Sequence, residues 1–172
     1  IAVKYAGMGD ARQVMEYYRL TKARDLTEWR AALALQSVPA TNFVYADAAG
    51  HIAYVYNALF PRRRAGFDWS GIVPGDTSAT AWDGYVPFDS IPQVIDPASG
   101  FLMNANNTPF RATDAASDLR RADYPAWMGI EPQMTNRAVR GLELLSAMPR
   151  ITRDSLLRVK YDATYSMQSW MG

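Results

Sequence analysis

Half of the 172 residues are hydrophobic (49%) and a fifth are charged (20%), a balance that supports a packed core and excludes a disordered chain. Eighteen basic against seventeen acidic residues leave a net charge of +1, so no strong field drives binding to nucleic acid or to an anionic membrane. Cysteine is absent, which removes disulfides, thiolate metal ligands and a cysteine nucleophile, and no apolar run approaches the ~20 residues of a membrane helix.

Residues 1–40 are predicted to be helical. Ala11, Val14, Met15 and Tyr18 recur at helix spacing. Asp25 with Glu28 three residues on forms a capping-box signal ahead of Trp29, Ala32, Leu33 and Gln36, and Pro39 closes the run. Residues 41–58 change period. Asn42 to Ala46 and Ile52 to Tyr56 are rich in β-branched and aromatic residues, and Asp47-Ala48-Ala49-Gly50 between them predicts a β-hairpin.

Residues 59–100 carry five prolines and five glycines, too many breakers for long regular elements. Phe67, Trp69, Trp82, Tyr85 and Phe88 lie in the same stretch, so the expectation is an ordered extended loop packed over a core or cleft. The three-arginine run Arg62-Arg63-Arg64 inside it reads as a solvated loop. Residues 101–110 predict a short strand, Phe101-Leu102-Met103, that delivers an asparagine turn. A variable loop follows to about Met134. Residues 135–172 then read as helical: one amphipathic helix capped near Thr135 with Ala138, Leu142 and Leu145, and another from about Thr152 with Leu156, Leu157 and Val159. The fold class is α+β.

Few residues announce chemistry. His51 is the only histidine and follows a hairpin glycine, where a surface position is expected; with no second histidine and no cysteine, no metal site is predicted. Phosphate loops, dinucleotide fingerprints and the Gly-x-Ser-x-Gly elbow are all missing. The exception is Asn104-x-Asn106-Asn107-x-Pro109. Three carboxamides at one strand end are costly if buried without partners, yet asparagine and proline are also turn formers, so composition alone leaves a turn and a site both open.

Several blocks, in order, resemble the penicillin acylase family, which includes acyl-homoserine lactone and aculeacin acylases. They are Asn42 to Asp47 with Gly50 to Tyr54, Phe60-Pro61-Arg62-Arg63, Trp82 to Phe88, Asp96 to Gly100, Asn104 to Pro109, and Thr135-Asn136-Arg137 leading to Leu144-Leu145. The resemblance implies part of an N-terminal-nucleophile αββα sandwich. Residues 1–172 would form a single internal segment of a larger β subunit. It implies an amide hydrolase that releases an N-acyl group through an acyl-enzyme on an N-terminal serine, whose own α-amine is the base. Asn106 matches the asparagine that stabilises the oxyanion, and Arg137 the active-site arginine. Asn104 and Asn107 would brace the turn, and Tyr17 and Thr41 would line the acyl pocket.

No cofactor is implied for catalysis. Asp118 resembles a ligand of the structural calcium that some members hold, but Trp69 stands where a proline contributes, so no metal ligand is expected. The partners implied are the remaining segments of the same acylase (the α subunit and the N-terminal part of the β subunit) and a small N-acyl amide substrate. Neither nucleic acid nor membrane insertion is implied, and the location implied is periplasmic or secreted. Ile1 has no hydroxyl, so the nucleophile is expected outside this chain, which should be inactive alone. The alternatives are a binding module that uses the aromatic loop as a ligand platform, and a structural domain in which the asparagines only turn the chain.

Overall fold

The computed structural model describes residues 2–170, so Ile1 lies outside the described residues. Four helices and three strands follow one another as α1 (Gln13–Lys22), α2 (Leu26–Leu33), β1 (Ala40–Ala46), β2 (Ile52–Ala58), β3 (Gln93–Ile95), α3 (Asn136–Ser146) and α4 (Arg153–Lys160). Asp25 caps α2 by accepting the Glu28 N–H at 2.8 Å. Glu28 reaches back past the cap to the Arg24 N–H at 2.9 Å. The helical expectation for residues 1–40 is too broad at its start. Gly7 and Gly9 adopt φ of +78° and +83°, conformations a helix cannot contain, and helix begins only at Gln13.

The strands form one antiparallel sheet in the order β1-β2-β3, with Thr41 opposite Asn57, Phe43 opposite Val55 and Ala53 opposite Ile95. Gly50, at φ +96°, turns the hairpin. Alternation along β1 and β2 then sorts the core into two layers. Phe43, Tyr45, Ala53 and Val55 face α1 and α2, where Trp29 meets Tyr45 at 5.1 Å and the main cluster of Trp29, Leu33, Phe60, Phe88 and Ile91 closes. Tyr54 on the other face packs with Val94 and Ala112. A buried carboxylate binds the first layer together. Glu16 of α1, fully buried, accepts from the Ser37 N–H (2.7 Å), the Ser37 hydroxyl (2.8 Å), the Val38 N–H (3.1 Å) and the Asn57 amide (3.3 Å).

Two expectations need correction. Phe101 to Met103 form no strand; the third strand is Gln93–Ile95, a short element inside the stretch expected to lack long ones. Three residues between Pro92 and Pro97 suffice, because β2 offers its free side and the Pro92 carbonyl already accepts the Tyr56 N–H at 3.0 Å. Met103 is instead drawn against α3, into a cluster with Ala138, Leu142 and Leu145. Glycine at 141 makes room for that approach: an added Cβ would meet the Met103 sulfur at 2.6 Å and the flexible thioether would have to shift. Further along, α4 turns Leu156 and Leu157 outward, 52% and 37% exposed, so they are not the inward face the apolar pattern suggested. A Thr152–Ser155 capping box forms α4 locally, and the Arg140–Asp162 pair (3.0 Å) ties its end to α3. Among the described residues no helix is long and apolar enough to cross a membrane.

His51 sits at the hairpin turn, with Nδ1 2.8 Å from Asp96 Oδ2 just beyond β3. Hydrogen bonding to Asp96, then its charge, raises the imidazole pKa, and the same contact lowers that of Asp96. The stabilisation is fully present below the unfolded histidine value of about 6.5 and fades as pH rises through the higher folded value. The melting-temperature gap between wild type and His51→Ala should therefore be wider near pH ~5.5 than near pH ~8.5. A gap that stays constant with pH would show that the pair contributes nothing.

Candidate active site

The asparagine knot is a built turn that also presents a side chain. Asn104 Oδ1 accepts the Asn106 N–H at 3.0 Å, an Asx-type closure, and simultaneously accepts the Asn42 amide of β1 at 3.1 Å. Asn106 follows at φ +58°, a left-handed conformation that asparagine tolerates better than most residues. Asn107 is buried and spent on the main chain: its oxygen accepts the Ala105 N–H (2.8 Å), and its amide donates to the carbonyls of Arg111 (2.7 Å) and Thr108 (3.1 Å). Asn104 and Asn107 therefore brace the loop from either side of Asn106.

Asn106 itself is exposed, and its partner comes from α3. Thr135 caps that helix by accepting the Ala138 N–H, which places Arg137 in the first turn. Arg137 Nη2 donates to Asn106 Oδ1 at 3.1 Å and to the Ala105 carbonyl at 3.2 Å. Arginine carries only donors, so the amide must turn its oxygen toward the guanidinium. The NH2 group is left as a donor, and among the described residues it has no acceptor.

A cleft of about 200 Å³ opens beside it, lined by Thr41, Asn42, Tyr56, Asn106, Asn107 and Glu131. Burial and the Glu131 charge raise the Tyr56 pKa, so its phenol stays a neutral hydrogen-bonding group at ordinary pH. The structure thus brings Asn106, Arg137, Asn104, Asn107 and Thr41 together. Tyr17 is not among them. It lies on the helix side of the sheet, 48% exposed, with its ring 6.5 Å from Phe43. Asn42 and Glu131 escaped the sequence reading. Strand alternation, which puts Asn42 on the face opposite Phe43, could have flagged the first; nothing local flags the second.

Asp118 anchors backbone, accepting the N–H groups of Ala112 (2.9 Å) and Thr113 (3.0 Å). Its other oxygen is buried with no donor among the described residues, and burial raises its pKa. Calcium takes roughly six to eight oxygen ligands. No group of three acidic or histidine side chains stands ready for a metal among the described residues. The Trp69 indole N–H is committed to the Arg64 carbonyl at 2.9 Å.

Helices stacked on a small antiparallel sheet match the fold of an N-terminal-nucleophile hydrolase. The likeness is to a thermostable penicillin G acylase from Alcaligenes faecalis, at a TM-score of 0.63 and 24% identity over 87% of this chain. The penicillin amidase family model matches residues 1–171, and the chain belongs to that family. Penicillin G acylase of Escherichia coli is 34% identical over 140 residues, 77% of the chain. Penicillin acylase 2 proenzyme of Pseudomonas sp. (strain SE83) is 31% identical over 121 residues, 70% of the chain. The chain spans 14% of the length of each of these two relatives and 25% of the solved acylase chain.

Proposed function

We propose that this chain is the oxyanion-bearing segment of an acylase that cleaves small N-acyl amides. The remaining segments, in this reading, are the α subunit and the N-terminal part of the β subunit, and they supply the serine nucleophile and its α-amine base. The whole enzyme works in the periplasm or outside the cell. The observation that carries the proposal is the committed orientation of Asn106: oxygen taken by Arg137, NH2 left to donate.

The chemistry follows from that orientation. Attack of a serine oxygen on the amide carbon moves a full negative charge onto the carbonyl oxygen. A carboxamide NH2 already in place stabilises that charge without reorganising at the moment of reaction, and it never titrates. Arg137 acts as a positioning residue, holding the amide by its oxygen and adding positive charge nearby. Thr41 lines the acyl side of the same cleft, and Tyr17 contributes to the acyl pocket from the helix side of the sheet.

The test uses the assembled enzyme with Arg137→Leu and Arg137→Lys. The leucine variant frees the amide to rotate and should lower kcat by up to about 10²-fold with KM nearly unchanged. Lysine, with charge but no planar fork, should recover part of the loss. Wild-type kcat in Arg137→Leu would remove Arg137 from the mechanism.

A further inference from the structure

The aromatic loop holds a cation that nothing within it neutralises. Arg63 is half-buried, and burial lowers its pKa. Of its five N–H donors, Nη1 reaches the Trp127 carbonyl at a long 3.4 Å, while the buried Nε has no acceptor among the described residues. The neighbouring carboxylates are engaged elsewhere. Asp83 lies 3.7 Å from Arg62, and Asp68 accepts the Ser70 N–H and hydroxyl at 3.0 and 2.6 Å. Among the described residues Arg63 has no ion-pair partner.

The walls around it are aromatic. The guanidinium carbon lies 5.5 Å from the Trp69 ring and 5.9 Å from the Trp82 ring. Lys4 brings a second cation to 4.7 Å from Trp82. Arg63 lines two clefts: one of about 540 Å³ with Phe67, Trp69 and Trp127, and one of about 450 Å³ with Arg62, Arg64 and Trp82. Trp69 is held by its indole N–H on Arg64, so the wall is set before any ligand arrives.

A guanidinium taken partly out of water without a counter-charge is unfavourable, and ring faces compensate only in part. A carboxylate completes it, because its two oxygens match the guanidinium fork. A flat apolar body attached to that carboxylate would lie along the indoles, where stacking rewards it. We propose that Arg63 and Trp69, in the cleft they share with Phe67 and Trp127, form a binding site for a small aromatic carboxylate. The site stands independently of the acylase reading, since it uses none of the residues around Asn106.

The experiment is calorimetric titration of the full chain with benzoate, acetate and inorganic phosphate, with tryptophan fluorescence as a second signal. Benzoate should bind saturably at one site, with acetate and phosphate at least about tenfold weaker because neither can stack. Arg63→Met should weaken benzoate by about tenfold or more, and Trp69→Leu should do the same while leaving acetate unchanged. Circular dichroism reports folding. If Arg63→Met fails to fold, Arg63→Lys, which keeps charge but loses the fork, should still show the loss. Asn106→Ala should bind benzoate as wild type does. Unchanged benzoate affinity in the folded Arg63 variant, equal affinity for acetate or phosphate, or loss of binding in Asn106→Ala each overturns the proposal.

Discussion

Replacing Asn106 by alanine in the assembled enzyme should lower kcat by about 10²–10³-fold while leaving the fold intact. The size follows from removing one preorganised donor to a developing oxyanion. The specificity of the effect follows from the local structure. Asn106 is exposed, its side chain carries no core packing, and Asn104 and Asn107 hold the turn through their own bonds. Alanine costs a little for the left-handed backbone at φ +58°, which asparagine adopts more readily. Thermal unfolding should therefore shift only slightly. Asn106→Asp is the sharper companion: it keeps the shape and the oxygen facing Arg137 but replaces the donor with a negative charge beside the oxyanion, so it should be at least as damaging. Single-turnover rates that stay near wild type in both variants would end the oxyanion assignment, whatever the enzyme's overall activity.

The largest loss of stability should come from Glu16→Leu, about 3–5 kcal/mol from several stranded buried donors, read as a fall in denaturant midpoint at constant m-value. Leucine suits burial but strands three donors at once, the Ser37 and Val38 N–H groups and the Ser37 hydroxyl, and leaves the Asn57 amide with only the Val38 carbonyl at 3.5 Å. Asn57 already has an oxygen buried without a partner among the described residues, and its remaining bond to the Val38 carbonyl is long. Stranded buried donors cost more than the original bonds gave, because water cannot reach them. Glu16→Gln keeps an accepting oxygen and should fall between. A midpoint unchanged by leucine would mean that α1 is not anchored through this carboxylate.

The hairpin was legible because two β-branched and aromatic runs flank a turn at Gly50, and that information is wholly local. Residues Thr135 and Thr152 likewise marked the starts of α3 and α4 through capping chemistry. The third strand was not legible. Gln93–Ile95 has three residues and proline neighbours, and only the free side of β2 makes it a strand. Phe101 to Met103 differ in the opposite sense: an apolar run predicts sheet, but Gly141 gives it a bare helix surface to lie against.

At the site, resemblance rather than pattern singled out Asn106 and Arg137, which lie 31 positions apart and meet at 3.1 Å. A glutamate buried on an otherwise solvent-facing helix could not be inferred either. Its donors come from Ser37, Val38 and Asn57, and spacing says nothing about that convergence.

β1 pairs with β2 on one side only, so between Ala40 and Ala46 a row of main-chain groups faces outward with no strand beside it among the described residues. Such a margin is a template onto which another extended segment can add. The isolated chain at high concentration should therefore grow into oligomers along that margin, with half-exposed Val44 on its surface. A charged side chain at that position would be the natural brake on self-association.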